Sequence, residues 1–368
     1  MSAPGRSLCV IVLGGYGGFG ARLSRRLAGD GWRVIVAGRS LAKAQALAAT
    51  LPNAEGIVAD RNGDLAPVLR RYRPALLVDA AGPFQGSSYA VPRACIAADV
   101  AYLDLADGRE FVCGIGALDG EARAAGVAVV SGASSVPALS GAVVCELAAR
   151  MDTVERVDLS ISASDRATAG ASVAASILSY AGQSVPLWDG TAERQAIGWR
   201  EVRRERYRAG ALALNRLVAL VDVPDHALLP GRVAGRPAVT FRAGTEFGFQ
   251  LFGVWLLSWP VQWGWLKSLV PLAPYLHRVQ RLTARLCSDR SAMAVELRGL
   301  CEGRPVTARW TLIAEQGDGP EIPVLAAQLL ARKLAAGALP SGARDAGEEL
   351  ALAEFEPLFG ELAITTSD

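Results

Sequence analysis

A glycine-rich stretch near the start of the sequence has the spacing of a loop that binds phosphate groups. It comprises Gly14-Gly15-Tyr16-Gly17-Gly18-Phe19-Gly20. In the pattern Gly15-x-Gly17-x-x-Gly20, the first glycine permits a tight turn, the second lets the backbone approach a pyrophosphate, and the third lets a helix pack closely on a strand. Gly14-x-x-Gly17-x-x-Gly20, the related spacing of short-chain reductases, fits equally well. Because an apolar run at 8–13 precedes the loop and a helical pattern follows it, we predict a dinucleotide-binding site.

The residues after the next apolar run favour NADP(H) over NAD(H) as the cofactor. An NAD site usually places Asp or Glu there, about twenty residues after the glycine loop, to bind the ribose 2′-hydroxyl. This sequence has Arg39 and Ser40 instead, and no acidic residue lies between Asp30 and Glu55. Arg39 could form a bidentate pair with a 2′-phosphate, and Ser40 could add a hydroxyl donor. The alternative is that Arg39 is a solvated loop residue.

Two further predicted strands end in residues that could line the cofactor. Asp60 could accept a hydrogen bond from the adenine amino group, or it could cap the following helix. The loop at 80–84 reads Ala-Ala-Gly-Pro-Phe, and ligands of open α/β sheets lie at the carboxyl ends of strands. We therefore expect this loop to line the nicotinamide ribose, through Ala81, Gly82, Pro83 and Phe84. The alternative is a turn that requires Gly-Pro.

Several carboxylates cluster after the fifth predicted strand, where Tyr102, Arg109 and Glu110 also lie. Asp104 and Asp107 are the candidate catalytic residues, because carboxylates at a strand end could position a substrate amine or hold a proton. The alternative, weighed equally, is that Asp104 caps the next element and that Asp107 begins a turn.

Ser134 and Ser135 occupy another strand-end loop. Either hydroxyl could bind the nicotinamide carboxamide or the substrate, but we favour the interpretation that they cap a helix beginning near Pro137. The sequence contains no G-x-S-x-G motif, which argues against a serine hydrolase. His226 and His277 are the only histidines, so a histidine-rich metal site is excluded and we expect no metal.

The elements that would position these residues alternate between strands and helices in the first part of the chain. Apolar runs at 8–13, 32–37, 56–59, 75–80, 101–105 and 127–131 predict strands, with helices between them. This order predicts an α/β fold with a Rossmann-type, doubly wound parallel sheet over residues 1–140.

Residues 141–368 predict a second, α+β domain for substrate binding or dimerisation. We expect strands at 153–162 and 238–249, an antiparallel hairpin over 293–315 that turns at 301–304, and a helix at 171–181. A helix at 322–336 should pack back on the first domain. The stretch after Ala338 is predicted to be irregular.

Four motifs together resemble the NADP-binding domain of saccharopine dehydrogenase-like oxidoreductases. They are Val-Leu-Gly-Gly-Tyr-Gly-Gly-Phe-Gly at 12–20, Asp-Ala-Ala-Gly-Pro-Phe at 79–84, Tyr-Leu-Asp-Leu-Ala-Asp at 102–107 and Gly-Ala-Ser-Ser-Val-Pro at 132–137. The resemblance covers residues 8 to about 140, and the segment from Ile322 to about Phe355 is similar to the closing helix of the same family.

The resemblance implies a reductase that transfers a hydride to or from a C–N or related bond of a small-molecule substrate. Two alternatives remain open. One is a trans-acting enoyl or other lipid-linked reductase that works at a membrane. The other is a regulatory protein that binds NADPH without catalysis, which the scarcity of acid–base groups would suit.

Composition limits the partners and the compartment. The 38 basic and 36 acidic residues give a net charge of +2, which offers no electrostatic argument for nucleic acid. Six cysteines without C-x-x-C spacing are typical of a reducing compartment. No apolar leader with a cleavage site is evident near the N-terminus. We expect a cytoplasmic homodimer.

The segment 247–266 has no charged residue and includes four tryptophans, Trp255, Trp259, Trp263 and Trp265. We favour a place in the core or a dimer interface over an apolar substrate channel or a contact with the inner face of a membrane. For the nearby basic residues the alternatives are contact with anionic lipid and, more favoured, a solvated face. These residues are Arg200, Arg203, Arg204, Arg206 and Arg208.

Overall fold

The computed structural model describes residues 8–164, 175–176, 178–275, 278, 282 and 287–368. These residues form two compact units. The first unit contains 8–139 together with Glu321–Leu350, and the second contains Ser140–Pro320 together with Ala351–Asp368. Five of the eleven residues of the helix predicted at 171–181 lie outside the described residues.

The strands and helices are numbered in chain order. The strands are β1 Cys9–Leu13, β2 Arg33–Gly38, β3 Ala54–Val58, β4 Leu76–Asp79, β5 Ala101–Asp104, β6 Ala128–Ser131, β7 Thr153–Ser162, β8 Ser184–Trp188, β9 Glu193–Ile197, β10 Arg203–Ala209, β11 Leu212–Leu220, β12 Ala238–Gly244, β13 Ser291–Cys301, β14 Arg304–Ala314, β15 Gly342–Asp345 and β16 Ile364–Ser367. The helices are α1 Gly18–Gly29, α2 Leu41–Ala48, α3 Ala66–Tyr72, α4 Ala90–Ile96, α5 Arg109–Gly114, α6 Asp119–Ala124, α7 Ser140–Ala148, α8 Asp225–Arg232, α9 Gly248–Gln262, α10 Ile322–Ala335 and α11 Leu352–Gly360.

The first unit is built on a parallel sheet with the strand order β15-β6-β5-β4-β1-β2-β3. All five residues of β1 and all four of β4 are buried, because the sheet is covered on both faces and continuous apolar runs are stable only there. The predicted Rossmann-type sheet is confirmed. The order reverses between β1 and β4, and ligands of such sheets bind at that point, outside the carboxyl ends of the strands.

The chain returns to the first unit at its C-terminal end. The α10 helix lies beside α1, where Arg332 pairs with Asp30 at 2.7 Å and Glu321 pairs with Arg26 at 2.7 Å. Strand β15 then adds to the sheet in parallel with β6. The prediction of an irregular stretch after Ala338 is therefore wrong: it contains β15, α11 and β16.

The second unit contains a mixed, mostly antiparallel sheet with the strand order β10-β11-β12-β7-β13-β14-β16. The strand at 153–162 is as predicted, and so is the hairpin, in which Cys301 pairs with Arg304 at the turn. The second predicted strand ends at Gly244, since α9 begins at Gly248. Strands β8 to β11 were not predicted from the sequence.

A buried ionic cluster lies between three strands of this second sheet. The carboxylate of Asp158 accepts hydrogen bonds from Arg156 at 2.7 Å and from the Thr240 hydroxyl, and it pairs with Arg203 at 3.4 Å. Burial alone would raise the pKa of Asp158, but these hydrogen bonds and positive charges outweigh it and lower the pKa to about 2. The exposed side chains of β10 are Arg204, Arg206 and Arg208, which form a solvated face, whereas Arg200 precedes the strand and has other partners.

Candidate functional site

The glycine loop leads directly into the N-terminus of α1. The Gly17 N–H donates to the Gly14 carbonyl oxygen at 2.8 Å, and the first helical hydrogen bond runs from Ala21 to Gly17 at 2.9 Å. The N–H groups that precede this bond have no acceptor within the helix. Gly17 and Gly18 are exposed, and the first turn contains no acidic residue. The helix therefore presents free donors and the positive end of its dipole, which suits a pyrophosphate.

The glycines of the loop are required by close contacts between backbone segments. A Cβ atom on Gly20 would collide with the carbonyl oxygen of Gly14. Gly14 has a φ of +68°, and a Cβ there would lie 3.0 Å from both the Ala80 oxygen and the Ala81 Cα. These contacts bring the glycine loop and the 80–84 loop together where the strand order reverses, at the ends of β1 and β4. The backbone fits a dinucleotide.

The end of β2 carries two side chains with different roles. The Tyr16 ring packs against Gly38, and its hydroxyl accepts a hydrogen bond from the Ser40 N–H at 2.9 Å. Ser40 also caps α2, because its hydroxyl oxygen accepts from the Lys43 N–H at 3.5 Å. Arg39 is exposed and makes no hydrogen bond or ion pair with any residue that the structure describes. Its guanidinium is therefore free to bind a ligand.

Asp60 begins a turn after β3. Its carboxylate accepts from the Asn62 N–H at 3.0 Å, and its carbonyl oxygen accepts from Gly63. The carboxylate that binds the first turn of α3 belongs to Asp64, which accepts from Ala66 at 2.9 Å. Asp60 is therefore not the cap of the following helix, and its exposed carboxylate lies at the sheet edge predicted to bind adenine.

A buried ion pair between Arg61 and Asp79 holds the start of the 80–84 loop in place. Arg61 donates to the Asp79 carboxylate at 3.0 Å and to the Ser87 hydroxyl at 2.9 Å. The other Asp79 oxygen accepts from the Ala81 N–H at 3.0 Å. Burial raises the pKa of Asp79, and the Arg61 charge offsets part of that rise. The role of Arg61 was not predicted, because nothing local in the sequence links this residue to Asp79.

Phe84 faces the protein. Its ring is 3% exposed, lies under the Arg61 guanidinium at 4.8 Å and packs on Phe111 at 5.3 Å. In this conformation the Phe84 side chain is buried and does not belong to the open part of the loop. The half-buried Ala81 and Gly82 and the exposed Pro83 form the open part of the loop.

Asp104 is fully buried and binds its own chain. Its Oδ1 accepts from the Gly132 N–H at 2.7 Å, the Ala106 N–H at 3.0 Å and the Ser131 hydroxyl at 3.1 Å. Its Oδ2 is buried and has no hydrogen-bond partner among the described residues. Burial raises the pKa of Asp104 to about 6, against the effect of these three donors.

These contacts favour the second of the two interpretations, in which Asp104 caps the elements that follow and organises the ends of β5 and β6. Tyr102, two residues earlier, is also buried, and burial raises its pKa well above the usual value.

Asp107 and the two serines stand at the edge of the site. Asp107 is exposed and accepts from the Gln85 amide at 3.2 Å. Ser134 and Ser135 are half-buried in the loop after β6. A π-helical turn at Ser135–Leu139, in which Val136 is extended, leads directly into the α-helix at Ser140, so helical structure begins near Pro137 as predicted. Asp107 is thus the accessible carboxylate of the two that were predicted.

Comparison with known proteins agrees with this geometry. Residues 10–130 match the family model for the saccharopine dehydrogenase NADP binding domain. This match lies within the first unit, which therefore contains an NAD(P)-binding domain. The search of curated proteins found no match.

Two solved structures show how far the likeness extends. A saccharopine dehydrogenase (L-Glu forming) from Saccharomyces cerevisiae is 12% identical, with a TM-score of 0.65 over 98% of this chain and 100% of its own. An amine dehydrogenase from Mycobacterium smegmatis is 10% identical, with a TM-score of 0.49 over 93% of this chain and 95% of its own. The yeast enzyme shares the fold across both units. The likeness to the yeast enzyme shows the fold of the chain, and the NAD(P)-binding domain is the part that the family model matches.

Proposed function

We propose that this protein is an NADP(H)-dependent oxidoreductase that transfers a hydride to or from a C–N or related bond of a small molecule. The observation that supports NADP(H) most strongly is that Arg39, at the end of β2, is exposed and pairs with none of the described residues. An acidic residue at this place would bind a 2′-hydroxyl and repel a 2′-phosphate. Arg39 instead offers a bidentate donor to the phosphate.

Different residues of the first unit would bind different parts of the cofactor. The N-terminus of α1 holds the pyrophosphate, and Arg39 with the Ser40 hydroxyl holds the 2′-phosphate. The nicotinamide, when bound, supplies or accepts the hydride. The 80–84 loop, which Asp79 and Arg61 hold in place, positions the nicotinamide ribose.

The acid–base part of the reaction is assigned to Asp107. It is exposed at the carboxyl end of β5, where a substrate held against the nicotinamide would lie. Its carboxylate would position a substrate amine or exchange a proton with it. Asp104 is a positioning residue in this proposal, since it fixes the turns that follow β5 and β6.

A reductase for a lipid-linked substrate is the second candidate. The observation that favours it is the row of exposed apolar side chains on α9, including Phe252 and Leu256. A broad panel of imine, carbonyl and enoyl compounds, assayed with NADPH, would separate the two candidates.

The direct test of the NADP(H) assignment is Arg39→Ala, compared with Arg70→Ala. Arg70 is also exposed, but it lies near the end of α3, before β4 begins and thus away from the carboxyl ends of the strands. Arg39→Ala should weaken NADPH binding by about 1.5–3 kcal/mol, because a charge-assisted pair is lost. It should leave NADH binding unchanged, and Arg70→Ala should affect neither. Equal losses for the two cofactors would contradict the assignment.

A further inference from the structure

The α9 helix is apolar on both its buried and its exposed sides. Its buried residues are Leu251, Val254, Ser258 and Val261. The opposite side and the residues just after the helix expose Phe249, Phe252, Leu256, Trp263 and Trp265, each of which is 55–74% exposed. We call these five residues the aromatic face. A helix on the surface of a globular protein normally carries polar residues on its outer side, so this face is built for an apolar environment.

Three residues of the aromatic face, Phe252, Trp263 and Trp265, belong to a chain of five aromatic rings in contact. Phe252, Trp255, Trp259, Trp263 and Trp265 follow one another with centroid distances of 5.2, 5.9, 5.4 and 5.1 Å. The arrangement is ordered by contacts on the inner side, where the Arg200 guanidinium lies 3.4 Å from the Trp259 ring centroid. Arg200 also donates to the Gln262 side chain at 2.9 Å.

Further contacts fix α9 to the second unit. The Gln183 amide donates to the Lys267 carbonyl oxygen at 3.0 Å, and Gly182 lies so close to α9 that a Cβ there would collide with the Ser258 carbonyl oxygen. The aromatic face is therefore presented on a firmly held helix.

The charged residues of the segment that carries the aromatic face have one sign. Between Phe247 and Ser288 the sequence contains no Asp or Glu, whereas it contains four basic residues, Lys267, Arg278, Arg281 and Arg285. Lys267 and Arg278 are exposed. A surface that binds this segment should therefore combine an apolar layer with negative charge.

We propose that the aromatic face docks on an anionic lipid membrane and lies in its interface without crossing it. Tryptophan is the residue most suited to the boundary between headgroups and acyl chains. An apolar helix face with adjacent basic residues is the usual means of interfacial binding. None of the described helices is long and apolar enough to span a bilayer. This proposal does not depend on which substrate the protein reduces.

Charge also argues for a membrane over a second copy of this chain. In a two-fold symmetric dimer the same patch meets itself. The segment from Phe247 to Ser288 would then bring its basic residues together with no acidic residue of its own to pair with them.

The test is co-sedimentation of the full-length protein with vesicles. Equimolar phosphatidylglycerol and phosphatidylcholine vesicles at low salt are compared with pure phosphatidylcholine vesicles. We expect at least about tenfold stronger binding to the anionic vesicles, because attraction to basic residues adds to apolar insertion. Four of the eight tryptophans lie in the segment, so tryptophan emission should also shift to the blue and be quenched by brominated lipid.

Two double variants and one single control variant make the test specific. Phe252→Ser with Trp263→Ser should weaken vesicle binding about tenfold or more, and Lys267→Glu with Arg278→Glu should remove the preference for anionic lipid. Val58→Ser is the matched control, because Val58 is 55% exposed in the first unit and should not alter binding. Thermal unfolding checks that each variant folds.

Two results would overturn the proposal. One is sedimentation that does not depend on vesicles or that the Phe252 and Trp263 substitutions leave unchanged. The other is a dimer in light scattering that these substitutions convert to a monomer, without any vesicle binding by the unaltered protein. That second result would assign the aromatic face to a contact between copies of the chain.

Discussion

At the scale of single residues, the carboxyl ends of β2 and β5 hold charged side chains in opposite environments. Arg39 is exposed and has no partner among the described residues. Asp104 is fully buried, with three donors on one oxygen and none on the other. The first arrangement leaves a charge available to a ligand, whereas the second uses a carboxyl group to hold two turns in place.

The environment of Asp104 predicts a pH-dependent stability. Burial raises its pKa from 3.8 to about 6, so the neutral form is favoured in the folded protein. The stabilisation that the neutral carboxyl gives is complete below pH 3.8 and is lost as the pH rises through about 6. Such a shift corresponds to about 3 kcal/mol.

Asp104→Asn should remove this component while keeping an oxygen that accepts hydrogen bonds. Denaturant unfolding of both proteins at acid and at slightly alkaline pH gives the difference in free energy of unfolding. We expect that difference to move in favour of the variant by about 3 kcal/mol as the pH rises. A difference that stays constant with pH would show that folding does not raise the pKa of Asp104.

At the scale of elements, the junction of β1 with α1 depends on a helix that approaches the preceding loop closely. Gly20 and Gly29 are both glycines of α1, but a Cβ on Gly20 would collide with the Gly14 carbonyl oxygen, whereas a Cβ on Gly29 would meet nothing within 4 Å. The pair therefore separates the effect of crowding from that of replacing any glycine in the helix.

Gly20→Ala should force the loop apart, lower the free energy of unfolding by about 1–3 kcal/mol and abolish tight NADPH binding. Gly29→Ala should leave binding unchanged. Thermal unfolding and fluorescence titration measure the two effects. Retention of normal NADPH binding by Gly20→Ala would mean that the loop does not need this close contact.

The sequence predicted those elements whose signal is local. Strands β1, β2, β4, β5 and β6 are almost entirely buried and consist of short apolar runs, so their positions were visible to within a few residues. Strand β15, by contrast, reads Gly-Ala-Arg-Asp and is a strand only because it pairs with β6, which lies more than two hundred residues earlier. Strands β8 to β11 were missed because their polar and apolar residues do not form long runs.

The site divides in the same way. The glycine loop and Arg39 were found because short spacing rules describe them. Arg61 could not be found, since its role arises from a contact with Asp79 that the fold creates. Asp104 was noticed for its position, but only the structure distinguishes a buried carboxyl group with three donors from an exposed one. A single sequence does not show whether a polar residue at a strand end is buried or exposed.

At the scale of the whole molecule, the cofactor-binding unit is assembled from two distant parts of the chain. Residues 321–350 contribute the helix α10 to this unit and the strand β15 to the sheet that carries the glycine loop. Val324, Leu325 and Leu330 of α10 are fully buried. Cofactor binding in the first part of the chain should thus stabilise a segment near its end.

Hydrogen exchange measured by mass spectrometry tests that linkage. NADPH stabilises the unit that binds it, so exchange should slow both in β1 and β6 and in the peptides that cover 322–345. If β1 and β6 gain protection while 322–345 does not, the two parts are not one cooperative unit.

The central claim is that the first unit binds NADP(H) in preference to NAD(H) through the glycine loop and Arg39. Titration of the purified protein with NADPH and with NADH, followed by fluorescence, tests it most directly. The account predicts saturable binding of NADPH at least about tenfold tighter than that of NADH, since a charge-assisted pair to the 2′-phosphate contributes more than 1.4 kcal/mol. Equal affinity for the two cofactors, or binding of neither, would contradict it.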